Sequence, residues 1–236
     1  MKKMGIVASL VATASACAAL ALASAGEVGV TADEALHKLM DGNKRYVESK
    51  LNACGETTAA AREKLATSQK PYAIILSCSD SRVPPEIIFD KSLGEIFVVR
   101  VAGNVPDPVV LGSIEYAAEH LGSPLIMVLG HERCGAVKAT VEAKGKAEGN
   151  IGAIVKAIAP ALKKAKKDCP ECKECEKNDP AKLVECVVDE NARMVAAGLT
   201  KQSKVIGHLV KEGKVKIVSA KYDLDDGKVT LFEAKK

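Results

Sequence analysis

The middle of the chain alternates between short runs of consecutive hydrophobic residues and longer segments in which hydrophobic residues recur at helical spacing. The short runs are "YAIILS", "EIFVVRVAG" and "PLIMVLGH", and the longer segments include "DPVVLGSIEYAAEHLG" and "IGAIVKAIAPALKKAKK". Consecutive hydrophobic residues are typical of strands buried on both faces, and intervening helices favour parallel connections between them. The pattern predicts an α/β fold: a single domain with a mainly parallel central sheet flanked by helices.

Both ends of this domain have patterns of their own. Thr31 and Glu34 form the sequence of a capping box before "ALHKLMDGNKRYV", and "TAAAREKLAT" follows, so we expect an N-terminal helical arm. His37 lies beside the hydrophobic stripe of the first helix and is interpreted as a surface residue. Near the other end, "KVKIVSAKYD" and "KVTLFEA" predict two closing strands joined through Asp-Gly.

The first 25 residues have the pattern of a signal peptide. Two lysines precede an apolar, alanine-rich run over residues 6–22, and "ASA" at 23–25 offers a small-residue cleavage site. The run is short and weakly hydrophobic for a membrane anchor, and Ala14 disfavours lipid attachment at Cys17. We expect residues 1–25 to be removed on export to a bacterial periplasm. Residues 26–236 then remain as the domain, with no stable membrane span.

Charge and composition exclude a nucleic-acid-binding role. Removing residues 1–25 lowers the net charge from +4 to +2, because two lysines and no acid are lost. Aromatic residues are only 3% of the chain, so surfaces on which bases could stack are few.

Chemistry-bearing residues follow two of the predicted strands. Cys78, Asp80 and Arg82 come directly after the first apolar run, and His131 and Cys134 come at the end of the third. Ligands bind at the carboxyl ends of parallel strands, and two thiolates with one imidazole suit zinc. Three protein ligands with an open fourth position are typical of a catalytic zinc site. The alternative is that both cysteines are small buried hydrophobes, which the charged residues around them disfavour.

Three motifs, "CSDSR", "RVAGN" and "GHERCGAVKA", resemble those of the β-class carbonic anhydrases, and the similarity runs from about residue 31 to residue 232. The resemblance implies a zinc lyase that hydrates CO2 reversibly and assembles as a homodimer or tetramer. It implies Cys78, His131 and Cys134 as zinc ligands and Asp80 with Arg82 as a dyad. Asp80 would bind zinc only in a closed form of the site, and Arg82 would hold it away from the metal.

The resemblance also implies a substrate pocket. Gln69, Phe97 and Tyr116 have the spacing, relative to the metal ligands, of the pocket residues in the plant-type branch. This branch keeps an open zinc with a water ligand, and its pocket residues reach the metal across or near the subunit boundary. Gly135, at the predicted start of a helix, would offer a backbone N–H to a bound oxygen.

Two other functions stay open at this point. One is a related zinc hydrolase that acts on carbon disulfide or carbonyl sulfide, and the other is a metal-responsive or redox-responsive binding protein built around a cysteine cluster. The dyad and the three pocket residues favour CO2.

The number of cysteines conflicts with simple pairing. The chain has eight, and export with removal of Cys17 leaves seven, an odd number. At least one cysteine is therefore not paired within the chain, and Cys54 is the expected unpaired thiol.

A cysteine-rich insert, about residues 166–182, interrupts the pattern of helices. It carries Cys169, Cys172 and Cys175, and Cys186 follows at the start of the next helix. We interpret the insert as a surface element remote from CO2 chemistry. Export favours two disulfides among these four cysteines; a second, structural zinc ion bound by four thiolates and redox-active thiols are the alternatives.

Overall fold

The computed structural model describes residues 29–52, 57–143, 147–168, 175 and 178–233. The predicted signal peptide and Cys54 lie outside the described residues, as do Cys169 and Cys172. No helix in the part of the chain that the structure describes is long and apolar enough to cross a membrane.

The described residues form helices around one sheet. The strands are β1 (Ala73–Ser77), β2 (Ile96–Arg100), β3 (Leu125–His131), β4 (Lys216–Tyr222) and β5 (Val229–Leu231). The helices are α1 (Ala32–Val47), α2 (Ala59–Leu65), α3 (Pro85–Ile88), α4 (Pro108–Glu119), α5 (Gly135–Glu142), α6 (Ile151–Asp168), α7 (Pro180–Gln202) and α8 (Lys204–Lys211). A 3-10 turn, Ala102–Asn104, follows β2.

The five strands lie in the order β2-β1-β3-β4-β5. The pairs β2–β1, β1–β3 and β3–β4 are parallel, and β5 is antiparallel to β4. The predicted α/β fold with a mainly parallel sheet is confirmed. Ser77 lies beside Leu129, so the residues after β1 and the last residues of β3 meet at the same edge of the sheet.

Hydrophobic residues cover both faces of the sheet, which explains the continuous apolar runs. Alternate strand residues belong to two different apolar clusters. One face carries Ile75, Met127 and Leu129, packed with Leu39 of α1 and with Phe89. The other carries Ile74, Leu76, Ile126 and Val128, packed with Ile114 of α4 and Leu199 of α7.

The N-terminal helical arm is confirmed. The Thr31 side chain accepts from the Glu34 amide, and the Glu34 side chain accepts from the Thr31 amide, so the capping box is complete. Asn43 of α1 is buried and donates to the carbonyls of Ile88 and Gly227, which ties the arm to the rest of the domain. His37 is exposed and pairs with Asp41, as expected of a surface residue.

A third apolar cluster lies among α5, α6 and α7, and it contains Cys78, Cys134 and Cys175. Cys175 is only 7% exposed, so the expectation that the insert is a surface element is wrong for this residue. Its side chain packs with apolar residues of the flanking helices, among them Leu183. The insert is also shorter than expected, because α6 continues to Asp168 and α7 begins at Pro180.

Two local details differ from the sequence prediction. The second strand ends at Arg100 instead of continuing to Gly103, because Gly103 and Asn104 have φ angles of 73° and 46° and form a tight turn. Helix α3 was not predicted, since its four residues are too few to show a periodic pattern.

Candidate metal centre

Cys78, His131 and Cys134 come together at the edge of the sheet where β1 and β3 end. Cys78 directly follows β1, His131 is the last residue of β3, and Cys134 is the N-cap of α5. All three are buried, and their ligand atoms lie within 4.8 Å of one another. The close pairing of β1 with β3 therefore brings together ligands that are 53 residues apart in the sequence.

The His131 ring is oriented for a metal ion. Its Nδ1 lies 2.8 Å from the backbone carbonyl of Glu132, so Nδ1 carries the proton and Nε2 has a free lone pair. Nε2 is buried with no hydrogen-bond partner. A buried polar atom without a partner is costly, and an imidazole held by a carbonyl on its other nitrogen is typical of metal ligands. The orientation fits a metal between Nε2 and the two thiols.

The two thiols are arranged to share negative charge. The backbone N–H of Gly103 donates to Cys78 Sγ at 3.3 Å. A hydrogen bond from Cys134, followed by contributions from His131 and Gly103, lowers the pKa of the Cys78 thiol to about 4. The contact with Cys78 and burial raise the pKa of the Cys134 thiol. The pair loses one proton readily and the second reluctantly, so a divalent cation would stabilise the doubly ionised state. The set fits zinc.

Any residue other than glycine would be strained at position 103. Its φ of 73° is in the left-handed region, and a Cβ there would lie 2.7 Å from the end of the Ile158 side chain and 3.1 Å from Ala136 Cβ. The glycine of the motif "RVAGN" thus allows the backbone amide of residue 103 to approach Cys78 closely, because it has no side chain to contact Ile158 and Ala136.

Asp80 and Arg82 form a two-point contact beside the metal ligands. Arg82 Nε donates to Asp80 Oδ1 at 2.9 Å, and Arg82 Nη2 donates to Oδ2 at 2.7 Å. The Arg82 amide adds a third bond to Oδ1, at 3.0 Å. These hydrogen bonds hold the pKa of the Asp80 carboxyl far below its usual range, so Asp80 is an ionised acceptor at neutral pH.

The Asp80 carboxylate lies near the metal ligands without joining them. Its Oδ2 is 3.9 Å from His131 Nε2, and it is not part of the group whose atoms lie within 4.8 Å of one another. Arg82 donates to both oxygens of this carboxylate, so its position is fixed beside the three ligand residues. Of the residues in this region, only Cys78, His131 and Cys134 form the group that could hold an ion, and three protein ligands are typical of a catalytic zinc site.

Arg100 anchors the backbone that carries the dyad, and sequence analysis missed it. Its Nε donates to the Cys78 carbonyl at 2.9 Å, and its Nη2 donates to the Asp80 carbonyl at 2.6 Å. Arg100 is the last residue of the apolar run "IFVVR" and lies beside Ser77 in the sheet. A charged residue at the end of an apolar run was the available signal.

The predicted pocket residues lie away from this edge of the sheet. Phe97 and Tyr116 contact each other, with ring centroids 6.3 Å apart, and Gln69 is exposed before β1. Phe97 lies beside Ile74, four residues before Cys78, which corresponds to about 13 Å along the strand. Of the four predicted pocket residues, only Gly135 lies beside the metal ligands of its own chain, since it is the first residue of α5 and follows Cys134.

Comparison with known proteins agrees with this geometry. A family model described as "Carbonic anhydrase" matches residues 73–229, more than half of the chain. Carbonic anhydrase 2 of Mycobacterium tuberculosis is 38% identical over 196 residues, which cover 82% of this chain and 89% of that protein. The chain belongs to the β-class carbonic anhydrases. The family comparison does not favour a carbon disulfide or carbonyl sulfide hydrolase or a redox-responsive binding protein.

Solved structures of the family share the fold. A β-carbonic anhydrase from Aspergillus fumigatus superposes with a TM-score of 0.68 at 22% identity, covering 85% of this chain and 92% of that one. A tetrameric β-carbonic anhydrase from Sordaria macrospora gives a TM-score of 0.62 at 23% identity, covering 84% of this chain and 97% of that one. At these identities, the likeness shows the fold alone.

A second group of acids lies close to the candidate metal ligands of this carbonic anhydrase. Oxygens of Glu132, Asp223 and Asp225 are within 4.8 Å of one another. Both oxygens of Asp225 accept from the Arg133 guanidinium, at 2.8 and 2.9 Å. Arg133 therefore offsets the charge of this group, which we interpret as part of the support for the turn between His131 and Cys134.

Proposed function

We propose that the protein catalyses the reversible hydration of CO2 to bicarbonate and a proton, with one zinc ion bound by Cys78, His131 and Cys134. The observation that carries the proposal is the unpartnered, buried Nε2 of His131 between two buried thiols. Beside it lies the Asp80 carboxylate, both oxygens of which accept hydrogen bonds from Arg82. A bound zinc ion lowers the pKa of a coordinated water to about 7 and so supplies a nucleophile near neutral pH.

Asp80 orients the attacking water in this proposal. Because the pKa of its carboxyl is far below the usual range, Asp80 does not take up a proton at neutral pH. It can only accept hydrogen bonds, so its role is to accept the O–H of the attacking water and aim the oxygen lone pair at the carbon. The proton that the reaction releases must leave through solvent or buffer.

Arg82 and Gly135 complete the polar surroundings. Arg82 fixes both oxygens of Asp80, which prevents the carboxylate from turning toward the open ligand position. Gly135 begins α5 and has open space beside its Cα. Its N–H, at the positive end of the helix, can donate to an oxygen of bound bicarbonate.

We also propose that the enzyme is a homodimer or a larger assembly in which a second copy completes the substrate pocket. β2 is an edge strand, and Val109 and Tyr116 of the neighbouring α4 are 78% and 48% exposed. We expect pairing through the N-terminal helices and this edge, which would bring Gln69, Phe97 and Tyr116 of one copy near the metal centre of the other. Sedimentation should therefore give at least a dimer; an active monomer would contradict this assembly.

Export and the state of the insert are proposals of their own. We propose that residues 1–25 are a signal peptide and that the mature enzyme reaches a bacterial periplasm. Cys175 is a free thiol in the structure, so the two disulfides that we expect among Cys169, Cys172, Cys175 and Cys186 would have to form in that compartment, and a second zinc ion bound by these four is the alternative. Mass spectrometry of the secreted protein, together with zinc per chain, separates the two states.

The decisive experiment is to measure CO2 hydration by stopped-flow together with zinc content. We expect turnover in proportion to bound zinc, at one catalytic ion per chain. Full turnover in a preparation free of metal would contradict the proposed function.

A further inference from the structure

The turn between two of the metal ligands contains a residue in an unfavourable conformation. Arg133 lies between His131 and Cys134, and its φ is 49°. In this left-handed region, the Cβ of an L-residue comes too close to the following carbonyl oxygen. Such a conformation persists only where the surrounding structure holds it. The turn sets how Cys134 is placed relative to His131, so whatever holds Arg133 also shapes the metal centre.

The Arg133 backbone is held by a side chain from a distant helix. Its N–H donates to Glu185 Oε1 at 2.7 Å, and Glu185 belongs to α7. Its carbonyl accepts a longer bond, 3.5 Å, from Arg82 Nη2. The shorter hydrogen bond is charge-assisted, because its acceptor is a carboxylate. Such hydrogen bonds are stronger than those between two neutral groups.

An ion pair with Lys221 does not account for the position of Glu185. Lys221 Nζ is 2.9 Å from Asp189 Oδ1 but 3.6 Å from Glu185 Oε2. Asp189 lies one helical turn after Glu185 on the same face of α7 and is the closer partner of Lys221. The shortest polar contact of Glu185 is therefore with the Arg133 amide.

Helix α7 is firmly placed relative to the metal ligands. Leu183, Val184 and Val187, which flank Glu185, are buried in the third cluster, and this cluster also contains Cys78 and Cys134. A carboxylate on such a helix can hold the turn in one place.

We propose that Glu185 is a positioning residue for the metal centre. Its carboxylate holds the Arg133 amide, stabilises the left-handed turn, and so fixes the spacing of His131 and Cys134 for zinc. The proposal deepens the function proposed above and rests on the zinc site described there.

The first test measures how fast the intact, zinc-loaded enzyme loses zinc to a chelator. We expect Glu185→Ala to release zinc about tenfold faster, as is typical when a residue that supports a metal ligand is removed. Asp189→Ala is the matched control. Asp189 lies on the same helix face as Glu185 and contacts the same lysine, Lys221, but its carboxylate does not hold the turn or a metal ligand. This variant should release zinc at the wild-type rate. Glu185→Gln retains an acceptor oxygen and should recover most of the wild-type retention.

The second test uses Arg133 to separate positioning from general loss of stability. Glycine adopts a positive φ without the penalty of a side chain, so Glu185→Ala should have little effect when added to Arg133→Gly. Arg133→Ala also removes the guanidinium but keeps the Cβ, so Glu185→Ala should have its full effect there. The visible spectrum of the cobalt-substituted enzyme, which reports ligand geometry, should change in Glu185→Ala and return in the double variant with glycine.

Two results would overturn the proposal. One is wild-type zinc release by Glu185→Ala, and the other is an equal effect of Glu185→Ala in the glycine and alanine backgrounds. A wild-type protein that retains no zinc would give a different failure, since it would refute the proposed function itself.

Discussion

The metal centre and the pair formed by Phe97 and Tyr116 differ in how completely one chain builds them. At the metal centre, one chain supplies three buried ligand atoms within 4.8 Å, an Asp80 carboxylate with both oxygens bonded, and backbone support from Arg100. At the β2 edge, Phe97 and Tyr116 contact each other but leave Tyr116 48% exposed. Under the proposed function, one chain would hold the zinc ion by itself, whereas an enclosed substrate pocket would need the second copy of the proposed dimer. Metal content and turnover should therefore be separable by mutation.

The largest effect is expected at the metal ligands. Cys78→Ala removes a thiolate that the Gly103 amide holds in place, and the two remaining ligands are too few for a stable zinc site. We expect loss of both zinc and CO2 hydration, measured as metal per chain and by stopped-flow. Retention of zinc with full turnover would mean that Cys78 is only a core residue.

Asp80→Asn should separate turnover from metal content. The Arg82 guanidinium donates to both oxygens of Asp80. In the variant, the single oxygen of asparagine should therefore turn toward Arg82, and its NH2 group should face the metal ligands. The attacking water then loses its acceptor, and we expect turnover to fall by about 100-fold while zinc content stays at the wild-type level.

Arg82→Lys provides the control for this interpretation. Lysine keeps the charge but cannot make the two-point contact, so it should also lower turnover, by less than Asp80→Asn. Wild-type turnover in both variants would show that the pair is an ordinary surface ion pair.

A mixed-subunit experiment tests whether the pocket is completed across the β2 edge. When chains with Asp80→Asn are coexpressed with chains carrying Phe97→Ala, a heterodimer contains one centre with an intact dyad facing an intact Phe97. We expect the mixture to exceed the average turnover of the two parent variants by about threefold or more, given that each parent is impaired by roughly tenfold or greater. If Phe97 acted on the metal of its own chain, every site would carry one defect, and the mixture would show only the average.

The sequence predicted that Cys78, His131 and Cys134 come together, as they do in the structure, because the determinants of this arrangement are local and chemical. Cys78 follows one apolar run and His131 ends another, and parallel strands end at the same edge of a sheet. The dyad lies within two residues of a ligand, so it too could be identified without a structure.

What the sequence did not predict depends on distant parts of the chain. Glu185 is 52 residues from Arg133, and nothing in "LVECVVDENARM" distinguishes it from the other acids of that helix. The left-handed φ of Arg133 was equally hidden, because glycine is the usual signal for such a position and arginine stands there. The burial of Cys175 was missed because charged residues surround it in the sequence, whereas its own side chain packs with the apolar faces of neighbouring helices.

The smallest effect on turnover is expected at Cys175, the residue of the insert that packs in the third cluster. In the part of the chain that the structure describes, Gly103, the Glu132 carbonyl and Arg100 contact the metal ligands through hydrogen bonds, and these three residues lie outside the insert. Cys175→Ser should therefore leave turnover per zinc unchanged. It should lower the free energy of unfolding by about 1–3 kcal/mol, because a hydroxyl replaces a thiol in apolar surroundings.

Two further substitutions decide what this loss of stability means. If packing alone is responsible, Cys175→Ala should cost less than Cys175→Ser, since alanine buries no polar group, and Cys172→Ser should cost little. If the cysteines of the insert act together in disulfides or around a second zinc ion, removing any one of them breaks the unit. Cys172→Ser would then destabilise the protein as much as Cys175→Ser, and alanine and serine at position 175 would be equivalent. Chemical unfolding of the four proteins, with turnover per zinc measured on the same samples, distinguishes a buried thiol from a cross-linked insert. A loss of turnover per zinc in a folded Cys175 variant would instead show that the insert and the metal centre are coupled through the third cluster.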